Sequence, residues 1–268
     1  MCCLLQNKPP PAKALFWIAC LDPNLQKPYN RLTVTYVKLI EFCAKAVAFL
    51  TDVHPSSPEN ESNIESFLNT AASLERQLKC WSQHNDPSWT YRKMAVVPAI
   101  IPSFIKEPHE YPGLMPSSAW NHYRCMRIRM LEVIRFLHQR RIRCGIKTVA
   151  DNVPSEEQCT AEIRNLATDI LASIPWILGD ISDRNESTCQ GMAIGSLMLL
   201  WPIRACIMAE CLTPEEHQWV MCKIAYISDE VGIASANTLP KHCEDFKKSE
   251  SQWFKEHVLA IQPKSPAD

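Results

Sequence analysis

Glycine is scarce in this chain, at 6 of 268 residues, which argues against folds built on many tight turns or on glycine-rich loops that cradle phosphate. A P-loop, a dinucleotide glycine fingerprint, a nucleophile elbow and a His-Glu-x-x-His helix are all absent from the sequence. Charge of one sign is missing too, because 28 Lys and Arg stand against 29 Asp and Glu for a formal net charge of -1. Binding to nucleic acid or anionic membrane rests on many cation–phosphate contacts, so any basic patch must be local. Cys-x-x-Cys is absent although there are 13 cysteines, which removes the commonest spacing of a structural zinc site.

The cysteines are scattered singly inside apolar patterns, without a secretory signal or a dense framework, and read as reduced, buried thiols of an intracellular protein. The sequons at Asn60 and Asn185 are then accidental. Ala14 to Leu21 imitates a signal-peptide core, but Pro9, Pro10 and Pro11 precede it and no small-residue cleavage site follows. Cys2 and Cys3 lack a second anchoring signal. From Met192 to Ile203 the chain is nearly all apolar until Arg204 interrupts. That run is short of a span of about 20 residues, so it reads as a buried helix.

What is present is helical periodicity separated by proline, of which there are 20. Leu32, Tyr36, Leu39, Ile40, Cys43, Val47 and Leu50 trace a first helix ended by Pro55 and Pro58. Ile64, Phe67, Leu68, Ala71, Leu74, Leu78 and Trp81 trace a second, closed by Pro87. The proline-rich stretch Asp86 to Pro116 is either a short extended segment or a partly apolar connection. A third helix begins near Ser117 or Ser118 and runs to Arg143, with Gly145 as its stop. Ser155 and Gln158 form a capping box that opens a fourth, which Pro175 breaks. Gly191 to Cys211 is hydrophobic around most of its circumference and so is expected at the centre of the packing, with Pro202 kinking it or starting a new turn. Thr213-Pro214-Glu215-Glu216 starts a helix that reaches Gly232, and a last short one covers Ser251 to Ile261. The expectation is an all-α fold in one irregular domain of about 6–8 helices over residues 31–262, after an irregular segment 1–30 and before a loose tail 263–268.

On the third helix Trp120, Tyr123, Met126, Met130, Leu131, Val133, Ile134 and Leu137 share one face, and Arg127 falls inside it. A buried guanidinium needs a carboxylate or several carbonyls, so Arg127 makes an internal ion pair or holds an anionic ligand, with Asp169 and Asp180 as candidate partners. Arg135, Arg140, Arg141, Arg143 and Lys147 form the strongest positive cluster, read as a solvated helix end, a weak nuclear-import signal or a nucleic-acid patch. Cys206, Cys211, His217 and Cys222 have metal-binding chemistry, but their spacing favours core packing, and no metal or cofactor is expected. Asp180-Ile181-Ser182-Asp183 is the nearest approach to the acidic cluster of an all-α enzyme such as a terpene cyclase, and it falls in an expected loop.

Four stretches in order carry a resemblance: Trp120-Asn121 with Tyr123, Arg124 and Arg127; Ile170 to Pro175 with Ser173; Leu199-Leu200-Trp201-Pro202; and Gly232-Ile233 with Ala236. Together they are similar to the C-terminal half of the regulatory domain of fungal zinc-cluster transcription factors, over roughly Leu32 to Leu239. The resemblance implies a helical fold, a nuclear or cytoplasmic regulator, and contacts with other regulatory proteins or a small effector, as a homo- or heterodimer, without membrane binding or catalysis. The family's cysteine-rich DNA-binding module has no counterpart, since only Cys2, Cys3 and Cys20 occur at the start. Independent sequence-specific DNA binding is therefore not expected. The alternatives are a small all-α biosynthetic enzyme and a non-functional gene fragment.

Overall fold

A computed structural model describes residues 8–14, 28–51, 59–146, 153–181 and 189–254, and these are overwhelmingly helical, as the periodicity predicts. Several sequence features lie outside them: Cys2, Cys3, Cys20, Pro55, Pro58, Lys147, Ser182, Asp183, Asn185 and the tail 263–268. The elements are α1 (Pro28–Thr51), α2 (Glu59–Gln83), a 3-10 turn (Pro87–Trp89), β1 (Arg92–Lys93), β2 (His109–Glu110), α3 (Leu114–Arg143), α4 (Glu156–Leu178), α5 (Cys189–Met208), α6 (Pro214–Asp229), a second 3-10 turn (Ala234–Thr238) and α7 (Leu239–Phe254). Contacts divide the chain into two compact units.

The first unit comprises Met1–His84, Arg129–Thr160 and Ser249–Asp268. In it α1 and α2 form an antiparallel hairpin whose facing stripes, Leu39, Cys43 and Leu50 against Ile64, Leu68 and Leu78, are fully buried. Trp81 on α2 donates its indole N–H to the Pro28 carbonyl at 2.7 Å, which ties the hairpin's open end together. Pro87 does not close α2, which has already ended at Gln83; instead it opens the 3-10 turn that Asp86 caps by accepting the Ser88 backbone N–H.

The second unit comprises Asn85–Ile128 and Ala161–Lys248. Its interior takes Ile163, Leu166, Ile170 and Ile174 from α4, Leu199 and Ile203 from α5, and Val220, Ile224 and Ile227 from α6. The stretch left undecided between strand and connection is both. Two residues of β1 pair antiparallel with β2, and the loop between them sends Ile101 and Ile105 into a cluster with Ala172, packed by Phe104 and Trp219.

Helix ends follow the local chemistry closely. Ser155 accepts the Gln158 backbone N–H at 3.2 Å while Gln158 reaches back to the Ser155 N–H at 2.8 Å, and Thr213 with Glu216 repeats this capping box on α6. Gly145 (φ 70°) and Gly179 (φ 85°) each take the left-handed conformation that ends α3 and α4. There Ile146 N–H reaches the Arg141 carbonyl and Asp180 N–H the Pro175 carbonyl, a backward reach that satisfies carbonyls left open in the last turn.

Four expectations need correction. α3 starts at Leu114 rather than at Ser117 or Ser118, because Pro116 sits in the first turn, where an absent N–H leaves nothing unpaired. Pro175 does not break α4, which runs on to Leu178; of the two readings of Pro202 the new start is the one set aside, because α5 runs through it to Met208. α7 begins at Leu239, well before Ser251; the charged run Lys241 to Lys248 leaves few apolar positions to trace its first turns in the sequence.

The fourth concerns α5, which is not wholly central. Ser196, Leu199, Ile203 and Cys206 are fully buried, while Ile194 and Leu197 are half or more exposed. Gly191–Met208 is long and apolar enough to cross a membrane by length and composition, although a core helix passes the same test. Gly195 marks its closest approach to its neighbours: a Cβ there would lie 3.0 Å from Ile177 Cγ2, 3.2 Å from the Ile177 carbonyl and 3.3 Å from Leu114 Cδ2. Gly to Ala in an open helix gains about 1 kcal/mol, whereas overpacking of this kind costs about 1–3 kcal/mol. Gly195→Ala is therefore expected to lower the urea unfolding midpoint modestly and Gly195→Val strongly; an alanine variant more stable than the parent would refute the tight crossing.

Candidate functional site

The second unit is organised around a buried arginine. Arg124 is 1% exposed, more deeply set than Arg127 at 6%, and no arm of its guanidinium faces water. Nη1 donates to the Tyr111 hydroxyl and to Asn121 Oδ1, both at 2.7 Å, and Nη2 approaches His109 Nδ1 at 3.2 Å. Asn121 Nδ2 donates to Ser173 Oγ at 2.9 Å, and Ser173 passes its own proton to the Ile170 carbonyl. This line of bonds ties α3 to α4. The nearest carboxylate, Asp169, is 4.0 Å from Arg124 Nε, so neutral dipoles carry most of the compensation.

Aromatic faces complete the enclosure. The guanidinium carbon lies 4.9 Å from the Tyr91 ring centre and 5.8 Å from that of Trp120, within reach of cation–π attraction. Tyr91 stacks on His109 at 4.2 Å and meets Trp120 edge-on at 4.9 Å, while Tyr111 packs on Trp176 at 5.3 Å. Trp120 in turn donates its indole N–H to the Trp89 carbonyl at 2.7 Å. The local fold sets these directions by strand alternation: His109 and Tyr111 face inward and Glu110 outward, where it pairs with Arg92 across the ladder.

The titrations follow from this burial. His109 is pushed down to about 2 by burial first and then by the Arg124 and Lys93 charges, so it is neutral. Its Nδ1 accepts from Arg124, which assigns the proton to Nε2. The 3.6 Å contact between Nε2 and Asp169 is accordingly not an ion pair. Burial pushes Tyr111 up to about 12. Arg124 loses from burial but gains more from Tyr111, Tyr91 and Asp169, and its pKa rises. Burial also raises the Cys125 and Cys206 thiols. A neutral histidine of such low basicity, a protonated phenol and protonated thiols hold a shape; at neutral pH they are poor proton carriers and poor nucleophiles.

The structure brings together Trp120, Asn121, Tyr123, Arg124 and Ser173 from the sequence-derived set, with Tyr123 edge-on to Trp120 at 5.6 Å. Arg127 makes the expected ion pair with a different acid. Its partner is Glu162 at 2.8 Å, about two helical turns before Asp169 on α4, with the Tyr123 hydroxyl at 3.2 Å. Asp169 instead faces His109 and Arg124, and Asp180 pairs with Lys223 at 2.7 Å. Pro175, Trp201, Pro202 and Gly232 hold helix geometry elsewhere: Trp201 is half-buried, and Gly232 (φ 81°) follows the end of α6.

The basic cluster is not a solvated helix end. Arg140 is 1% exposed and Arg135, Arg141 and Arg143 are half-buried, which removes most of the open cationic surface a nucleic-acid patch needs. Core packing holds for Cys206 but not for its companions, since His217 and Cys222 are exposed and Cys211 is half-buried. Among the described residues no three His, Cys, Asp or Glu side chains converge as a metal-binding group.

No family model, curated protein or solved structure matches the chain.

The sequence does not single out His109, Tyr111 or Tyr91, and it offers Asp169 as a partner for Arg127 where the structure sets it beside His109 and Arg124. The signal was available in one place, the inward-outward-inward triplet His109-Glu110-Tyr111, but three residues of alternation inside a proline-rich stretch are too short to identify a strand.

Proposed function

We propose that the chain is a helical regulatory domain similar to that of fungal zinc-cluster transcription factors, acting in the nucleus or cytoplasm by contacting proteins or a small effector. The observation that carries the reading is the Arg124 enclosure, in which two of the family-like stretches, Trp120 to Arg124 and Ile170 to Pro175, meet through Asn121 and Ser173. A family signature made of packing residues suits a domain that works by presenting surfaces. The buried titratable groups, held in their unreactive forms, favour this over the enzyme alternative.

Tethering provides the test. Fused to an unrelated DNA-binding module, the full chain is expected to change transcription of a reporter carrying that module's site, and an Arg124→Leu fusion at equal abundance to lose the effect. A wild-type fusion without effect on the reporter, or tight binding of the purified chain alone to a defined DNA site, would sink the proposal.

A further inference from the structure

The α1–α2 hairpin carries a groove of about 450 Å³ on its outer face. Its floor is Phe42 and Leu74, both buried, with the half-buried ring of Phe67 meeting Phe42 at 6.3 Å and Phe49 at 5.3 Å. Lys38, Phe42 and Lys45 line it at successive helical turns of α1, and Phe67, Thr70, Leu74 and Gln77 do so on α2. From Ser66 to Gln77 the groove runs eleven helical rises of about 1.5 Å, about 16 Å or three turns of helix.

The chemistry of the walls restricts the occupant. Both walls are helices whose backbone groups are bonded internally, so the groove offers a strand no ladder to join; it offers an apolar floor between two side-chain ridges, which is how a groove receives an amphipathic helix. The rim is positive: Lys38 and Lys45 face one carboxylate, Glu41, which pairs with Lys45 at 2.7 Å, while α2 contributes only Ser, Thr and Gln. The Lys38 amine rests 3.3 Å from the neutral amide oxygen of Gln77 and keeps its charge for a visitor.

We infer that this groove docks an acidic amphipathic helix of a partner protein, about three turns long, with its apolar stripe on Phe42, Phe67 and Leu74 and its carboxylates toward Lys38 and Lys45. The inference rests on the regulatory reading, since it names the kind of protein such a domain would contact.

Fluorescence anisotropy on the purified full chain tests it with two labelled peptides that share one Leu/Phe stripe at helical spacing, one carrying glutamate and the other lysine elsewhere. The glutamate peptide is expected to bind at least tenfold more tightly, with affinity falling as salt rises. The double variant Lys38→Glu/Lys45→Glu is expected to invert the preference, and Phe67→Asp to abolish binding of both peptides at an unchanged far-ultraviolet circular dichroism spectrum. Equal binding of the two peptides overturns the inference, as does a preference that survives the lysine reversal. Self-association lost in the lysine variant would overturn the partner class by making the occupant a second copy. A tethered wild-type chain that alters transcription while the peptide preference is absent would remove the groove and leave the regulatory reading standing.

Discussion

Replacing Arg124 with leucine is expected to lower the free energy of unfolding by about 3–5 kcal/mol, the range for removing one member of a buried charged network. Leucine matches part of the volume but takes the charged donor from the Tyr111 hydroxyl, Asn121 Oδ1 and His109 Nδ1, leaving Asn121 Oδ1 with the Ser173 hydroxyl at 3.2 Å and His109 Nδ1 with the Tyr111 hydroxyl at 3.3 Å. Each charge-assisted bond lost is worth about 1.5–3 kcal/mol, so the sum reaches the same range after these remaining bonds and relaxation recover part of it. Arg124→Lys should recover little, because an ammonium cannot bond three differently placed partners in one plane or stack as a guanidinium does on Tyr91. Urea unfolding at neutral pH is the measurement, and an Arg124→Leu midpoint equivalent to a loss below about 1 kcal/mol would show that the enclosure is not what holds the second unit.

The same substitution changes the acid limb. In the native protein His109 is held far below its ordinary 6.5, so as pH falls below about 6.5 the unfolded chain takes up a proton that the folded chain refuses, and stability declines. Burial, the larger cause, persists in the leucine variant, but the Arg124 charge does not. The decline should therefore keep its slope but level off at a higher pH than in the parent, where the variant's folded chain begins to take up the proton.

Glu216→Ala is expected to cost about 2–4 kcal/mol. Glu216 is 2% exposed and does two things with one carboxylate: it takes Arg164 in a fork, Nη1 and Nη2 each at 2.6 Å, and it accepts the Thr213 backbone N–H at 2.8 Å to close the capping box of α6. Loss of the cap accounts for about 1 kcal/mol and loss of the forked pair for the rest, less whatever Arg164 regains by reaching water. Arg164→Ala is expected to cost as much, because it strands the more buried partner. A double-mutant cycle isolates the pair, and a coupling below about 0.5 kcal/mol would show that the fork contributes nothing beyond its cap.

Acid reports on the same carboxylate. Burial would raise its pKa, but the Arg164 fork and the Thr213 bonds outweigh burial and hold it below its ordinary 4.5. Its stabilisation is thus present above about pH 4.5 and is lost as pH falls through the depressed native value. The stability gap between the parent and Glu216→Gln should close over that window; a gap independent of pH would disprove the assignment.

Much of the helical framework was legible in the sequence because it depends on neighbours three and four residues away. The stripes of α1 and α2, the Ser155 capping box, the helix start at Thr213 and the stop at Gly145 are local facts, and the structure places them where the pattern did. Pro175 misled the reading of α4, since a helix interior tolerates a proline when tertiary packing on either side outweighs the lost bond. The candidate site was half legible. Its α3 and α4 members stood out, but Tyr91, His109 and Tyr111 arrive from a proline-rich stretch with no period of its own, and Arg127 found Glu162 because distance in space, which a wheel of one helix cannot show, decides pairing.

The two-residue ladder of β1 and β2 has a kinetic consequence. So short a hairpin has almost no stability alone, and the residues that hold it, Trp89, Tyr91, His109 and Tyr111, pack on one another and take further partners from α3 and α4. Asn121 and Ser173, which join those helices, are 52 positions apart. The arm can meet α3 early, since the partners there lie 13 to 31 positions away, but it is clasped against α4 only when that longer loop has closed.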